Sequence, residues 1–425
     1  MNYPIWISEA LSGAQLIAII AVFHVFISHF AVGMGLYVVI AEKIAIKSGN
    51  LEEKIFVKKS SALILLISAV LGALTGVGIW FSIALVSPAG TAALIHIFVW
   101  GWATEWVFFV LEIFAILAYY YTWNKVSDNT HVFLGWLYFI GAWMSLAIIA
   151  GIIAFQLTPG TYLENKSFWG AFFNQTYFPS VIGRTGISFV LAGIYATLVL
   201  SFTKNKEIKV KYGRFTGYFI IAGAVLTFLG MYWWVQAIPE NVREQFLGGN
   251  EILSSFYNNS IYLTVALIGL AAIFTLAIPK YMNIAFALVL LILGQISFGY
   301  YEFTRERVRK PYVIRDFMYS NGILKSEVEK IKDVGFLNYD KWATVGQPND
   351  EIGKGRGIYN SQCRVCHMPK GFNEMYSKVE GLTAEDLYGM LDDLDANPLM
   401  PPFAGNDEDK MALSKYLEKI GQGGK

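Results

Sequence analysis

Charge is scarce in this chain. Only 15% of its 425 residues are Asp, Glu, Lys or Arg, where average proteins carry roughly a quarter. The two signs nearly cancel, to a net +1. A polyanionic partner has nothing to bind, so a nucleic-acid binder is excluded. Cysteine is scarcer still. The two present, Cys363 and Cys366, are three apart, too close for an ordinary structural disulfide, so disulfide stapling is not the design. There are five histidines in all. The N-terminus lacks a basic n-region and a small-residue cleavage site. The first apolar stretch is therefore expected to remain as a membrane helix.

Apolar residues are abundant. They make up 55% of the chain, and the mean hydropathy is +0.46. This rules out a soluble globular protein and a disordered one. Residues 1–300 hold 15 of the basic and 12 of the acidic residues, and residues 301–425 hold 18 and 20. A long apolar region thus precedes a short polar one. A hydrocarbon core of roughly 30 Å needs about 20 helical residues. Eight segments are long enough: about 12–41, 61–87, 92–122, 131–157, 181–203, 215–238, 259–279 and 282–303. All are expected to be helices, since unpaired backbone is too costly in lipid. The expected fold is an all-α, polytopic membrane bundle in contact with lipid, with a small C-terminal domain.

Lysines set the expected orientation. Lys43, Lys47, Lys54, Lys58 and Lys59 follow the first span, and Lys204, Lys206, Lys209, Lys211 and Arg214 follow the fifth. The loops after spans two, four and six are poor in basic residues. The positive-inside rule then places both termini outside. Arg305, Arg307, Arg309 and Lys310 follow span eight on the outer side and break the pattern. Anionic cofactor propionates would account for Arg305, Arg307 and Arg309 there. The expected organisation is a transmembrane bundle over 1–310, a connector over 311–345 with a short amphipathic helix, and a small domain over 346–425.

Cys363-Arg364-Val365-Cys366-His367 is the c-type haem attachment pattern. Two thiols three apart bond both vinyl groups of one haem, and the adjacent His367 ligates the iron. A thioredoxin-like or zinc site is the rival, but the following His and the lack of a second Cys pair argue against it. Gly355 to Gln362 resembles the first helix of small cytochromes c, and Asn397 to Phe403 their distal loop. Met400 is then the expected sixth ligand, a thioether that raises the potential. Haem c is attached outside the bacterial cytoplasmic membrane, in agreement with the lysine-based topology. Residues 374–409 contain ten acidic residues and one basic one. They read either as a solvated face or as a docking surface for a basic electron carrier.

An ionisable group inside the membrane is a functional candidate by default. His24 in span one and His96 near the outer end of span three fall in the outer half. His29 is five residues after His24 and points roughly 140° away. His131, at the inner start of span four, reads as a snorkelling or solvated side chain. Glu105 and Glu112 lie seven apart on one face of span three, an arrangement that suits proton relay. Glu302 lies near the outer end of span eight. No helix carries paired histidines on one face, so a four-histidine bis-haem bundle does not fit.

The first 310 residues resemble subunit I of the cytochrome bd oxidases. The resemblance rests on Phe23-His24-Val25-Phe26 with Gly33-Met34, on Thr75-Gly76, on Phe108 to Glu112, and on Tyr301-Glu302 through Arg305 and Arg309 to Pro311-Tyr312. It implies that His24 and Glu302 ligate one or two b-type or d-type haems, with His96 a further candidate, and that Glu105 and Glu112 conduct protons. It also implies a second membrane subunit related to bd subunit II. The chain departs from the family in several places. Span five has Arg184 near the place of the histidine that holds the low-spin b haem. The stretch after span six (239–258) lacks the quinol-loop signature. The two glutamates are seven rather than eight apart, and a cytochrome c domain stands where a ninth span would be. These losses agree with one another if a haem c replaces the quinol site as the point of electron input. The expected activity is then a terminal oxidase in the bacterial cytoplasmic membrane that reduces oxygen to water. Its electrons would come from a periplasmic donor, for which a basic cytochrome fits. The alternative is quinone-linked electron transfer to a periplasmic cytochrome without oxygen reduction.

Overall fold

A computed structural model describes residues 3–423. Among them eight helices are long and apolar enough to cross a membrane. They are α1 (Gly13–Ser48), α2 (Leu51–Val86), α3 (Val99–Tyr121), α4 (Asp128–Ala154), α5 (Tyr177–Ser201), α6 (Lys206–Ala237), α7 (Glu251–Ala277) and α8 (Ile284–Arg307). Hydropathy located all eight. It did not show how far α1 and α2 overrun the apolar stretch. The Asn50 side chain accepts from the backbone N–H groups of Glu52 and Glu53, an N-cap that starts α2 ten residues before its apolar run. The stretch read as one span from 92 is broken at Phe98 (φ −116°, ψ 29°). Phe98 is fully buried and packs edge-on against Phe155 at 5.0 Å. Pro88–Ile97 is therefore a separate short helix, and His96 lies on it rather than on α3.

The chain forms two compact units. One comprises Ala21–Val77 and Phe98–Val308. Its core includes Phe30, Met34, Tyr37, Phe56, Tyr119 and Tyr138. The α5–α6 pair is built on glycine. A Cβ on Gly230 would lie 2.2 Å from the Gly183 nitrogen, and one on Gly186 2.3 Å from the Thr227 nitrogen. Lipid gives two helices no hydrophobic reason to associate, so close backbone approach supplies the attraction. Gly230→Ala should force the pair apart and cost about 1–3 kcal/mol, read as a lower melting temperature of the purified protein. An unchanged melting curve would show that the seam is not a stability determinant.

The other unit comprises the residues up to Ile20, Gly78–Ile97 and those from Arg309 onward. Its C-terminal part is built on α9 (Glu351–Gln362) and α10 (Asp407–Gly421). These cross closely, since a Cβ on Gly355 would lie 2.0 Å from the Ala412 carbonyl oxygen. Residues 312–339, read from sequence as connector, hold a two-stranded antiparallel ribbon (Tyr312–Ile314 with Met318–Tyr319) and the helix Val328–Val334. Tyr319, Ile331 and Phe336 join Ile358, Leu413 and Tyr416 in one apolar cluster. The segment is thus part of the small domain's core. In the same unit the N-terminal arm is tied to the end of α2: Trp6 N–H donates to the Leu85 carbonyl and the Tyr3 hydroxyl to that of Ala84, both at 2.9 Å.

Candidate haem and proton sites

Asp350 caps α9 through the Gly353 N–H (2.7 Å). Just past the helix end, the attachment motif is wound into a single turn, with the Cys366 and His367 N–H groups both donating to the Cys363 carbonyl (3.1 and 2.9 Å). His367 Nδ1 is 3.2 Å from the Asn373 carbonyl oxygen. A carbonyl only accepts, so Nδ1 carries the proton and Nε2 offers its lone pair. The Tyr359 hydroxyl and the Asn373 amide hold the motif's backbone from either side, by donating to the carbonyls of His367 and Cys366 (2.8 Å each).

The loop bearing Met400 is fastened to the same place. The Gln362 side chain donates to the Ala404 carbonyl (2.6 Å) and accepts from the Ala404 N–H (3.2 Å). Gln362 immediately precedes Cys363, so one side chain ties the methionine loop to the root of the motif. Two thiols, an imidazole with its outer nitrogen committed and a thioether are the donor set a haem c requires. Arg364 turns the other way. It is buried and donates to the Ser8 carbonyl and the Glu9 carboxylate (2.9 and 2.8 Å).

In the bundle, His24 is half-buried on α1, with Nδ1 3.2 Å from the Thr75 hydroxyl of α2. Glu302 is buried on α8. Its Oε2 accepts from Arg305 Nε and Nη2 (2.9 and 2.7 Å). Its Oε1 is buried with no hydrogen-bond partner. A buried carboxylate oxygen left unpaired is costly, and a metal ion would satisfy it. Glu302 therefore fits iron ligation. Arg305, expected to face propionates, is engaged with Glu302.

The sequence reading set His29 aside because it points away from His24. In the structure it is buried, 3.4 Å from Arg184 Nη1 of α5, and interacts electrostatically with both His24 and Glu302. Arg184 is buried as well. A basic residue deep in span five was the signal that could have directed attention to His29. His96 is exposed, with Nδ1 held by the Ala92 carbonyl of its own helix (2.7 Å).

The carboxylates of α3 belong to a ladder shared with α4. Tyr119, Glu112 and Glu105 recur every seven residues on α3, and His131, Tyr138 and Ser145 do so on antiparallel α4. Ser145 donates to Glu105 (2.5 Å), and Tyr138 interacts electrostatically with Glu112. Glu112 is buried and accepts from Ser68 (3.4 Å), which lies in a π-helical stretch of α2, Leu65–Gly72. Such stretches recur at functional sites. On the third rung His131 is buried, not solvated as its interfacial position suggested. Its Nδ1 lies 2.6 Å from Glu42 of α1, which also accepts from the Tyr119 hydroxyl (2.8 Å). The partner sits 89 positions away, beyond any reading of local pattern. Successive rungs are about 10 Å apart at the α-helical rise.

A polytopic helical bundle with buried carboxylates and histidines, joined to a small domain with a covalent-haem donor set, defines a membrane haem protein. Residues 12–237 match the family described as cytochrome bd terminal oxidase subunit I, and residues 350–417 match cytochrome c oxidase, cbb3-type, subunit III. The first match spans more than half of the chain, and the chain belongs to the cytochrome bd terminal oxidase subunit I family. The solved structure of bd oxidase from Geobacillus thermodenitrificans has a similar fold, with a TM-score of 0.61 and 17% identity over 71% of this chain and 88% of that one. No curated protein matches the chain. The protein is a membrane haem oxidoreductase related to bd oxidase that carries a cytochrome c domain.

Proposed function

We propose that the protein is a terminal oxidase that reduces oxygen to water with electrons received through its own haem c. One observation carries this reading: a single polypeptide holds both the bd-type bundle and the CxxCH donor set, so electron input is built into the chain. His367 and Met400 would hold the haem c iron, with Cys363 and Cys366 as its covalent anchors. His24 and Glu302 would hold haem of b or d type in the bundle. Bound haem supplies the redox iron and, at one centre, an open coordination position. The chain's residues do the rest. Arg305 orients Glu302, while Arg307 and Arg309 would balance propionates. Glu112 and Glu105 pass protons up the α3–α4 ladder, with water carrying them across the gaps between rungs.

The cytochrome domain and both termini would lie outside the cytoplasmic membrane, as the lysines and the haem c motif both suggest. A second membrane subunit would complete the enzyme, and a periplasmic carrier would dock on the acidic face. A carbon monoxide difference spectrum of the reduced, purified protein tests the reading. The expected result is a shifted b- or d-type band with the c band unmoved. A spectrum without any such shift would overturn oxygen reduction and favour quinone-linked electron transfer.

A further inference from the structure

The geometry points to Thr75 as a positioning residue that fixes the tautomer of His24 for iron ligation. This rests on the proposal that His24 is a haem ligand. The Thr75 hydroxyl has one proton, and its position is decided locally. Oγ1 lies 2.7 Å from the Leu71 carbonyl oxygen and 3.2 Å from that of Gly72. Carbonyls only accept, so the proton points at them. Oγ1 therefore meets His24 Nδ1, 3.2 Å away, as an acceptor. His24 must bring the proton to that contact. The Gly72 carbonyl also accepts from the ring, and in a neutral imidazole protonated at Nδ1 the lone pair lies on Nε2.

Gly76 completes the arrangement. A Cβ at that position would lie 3.1 Å from His24 Cε1 and 3.7 Å from Nδ1, so a side chain there would press on the ring. The Thr-Gly step thus has two parts. The threonine places the proton, and the glycine leaves room for the ring. A ligating imidazole that donates its other N–H to an acceptor is more basic towards the metal, and loss of such an outer partner typically costs 10–100-fold in affinity.

Thr75→Val, which keeps the shape and removes the hydroxyl acceptor, tests this in the full-length purified protein. The readouts are the ratio of non-covalent haem to haem c, the rate at which non-covalent haem is lost to apomyoglobin, and the iron–histidine stretch in the resonance Raman spectrum of the reduced protein. Haem c is the internal standard for folded chain. Thr75→Val should lose non-covalent haem about 10–100-fold faster and lower the stretching frequency. Thr75→Ser, which keeps the oxygen, should restore both. His24→Ala separates the two levels. If it retains the full haem ratio, the ligand assignment itself falls. If it loses haem while Thr75→Val matches the parent protein in both loss rate and stretch, the positioning role alone is overturned. Equal defects in the valine and serine variants would also overturn it, because packing rather than the hydrogen bond would then be the cause.

Discussion

Glu302→Ala should reduce the amount of folded protein in the membrane severely, whereas Glu302→Gln should leave the protein in place and strip haem from the bundle. The difference follows from the two oxygens of one side chain. Oε2 holds Arg305, whose side chain is only 21% exposed. Arg184 and His29 also act on this carboxylate. Alanine leaves these groups without their counter-charge and Arg305 without its acceptor. Removing one partner of a buried pair costs about 3–5 kcal/mol, and the partial exposure of Arg305 puts the expected cost at the lower end. That is a large share of a typical stability of roughly 5–15 kcal/mol. Glutamine also removes the charge, but it keeps the volume and an oxygen that accepts from Arg305, so its cost to folding should be smaller, while it is a poor iron ligand. Haem c absorbance per unit of membrane reports folded chain, and the ratio of non-covalent haem to haem c reports the bundle. An unchanged ratio in the glutamine variant would remove Glu302 from the ligand set.

Met400→Leu should give the second large effect. The haem c should lose its sixth ligand, fall in reduction potential and become reactive to carbon monoxide. Leucine fills the same space without a sulfur, and the Gln362–Ala404 clamp keeps the loop in place, so the change is one of ligand rather than fold. For a one-electron couple a fall of about 59 mV shifts the equilibrium with a donor tenfold. Donor-driven turnover should therefore drop well before covalent attachment is affected. Redox titration of the c band, together with its carbon monoxide difference spectrum, checks this. A c band that stays unreactive at its parent potential would mean that another side chain holds the distal position.

Much of this architecture is written in local pattern. Lipid accepts only long apolar helices, so hydropathy alone located the eight spans. Covalent haem attachment needs two thiols and a histidine within one turn, so the motif around Cys363 is legible in five residues. Glu105 and Glu112 announced themselves because carboxylates are costly in lipid. The misses concern contacts between distant segments. His29 was judged by its angle to His24 on the same helix, while its actual neighbours, Arg184 and Phe298, come from α5 and α8. His131 looked like an interfacial side chain because nothing near it in sequence announces Glu42. The break at Phe98 is set by its packing against Phe155, and apolar residues on both sides of it conceal the stop. The connector around 312–339 holds its apolar residues in runs too short to show the period of a core element, yet Tyr319, Ile331 and Phe336 join the core of the small domain.

The glycine seam between α5 and α6 bears on how the protein is made. Ser201 and Lys206 are separated by four residues, and the two helices meet backbone to backbone with little side-chain rearrangement required. Such a hairpin has mostly local contacts, and local contacts form early. During synthesis the pair can close as soon as α6 has entered the bilayer, before α7 and α8 have left the ribosome. Glu302 and Arg305 would then arrive together on the last span, beside an α5 that already displays Arg184. On this order of events Glu302 enters lipid late and together with Arg305, and the half-made chain is spared an unpaired Glu302 in the hydrocarbon.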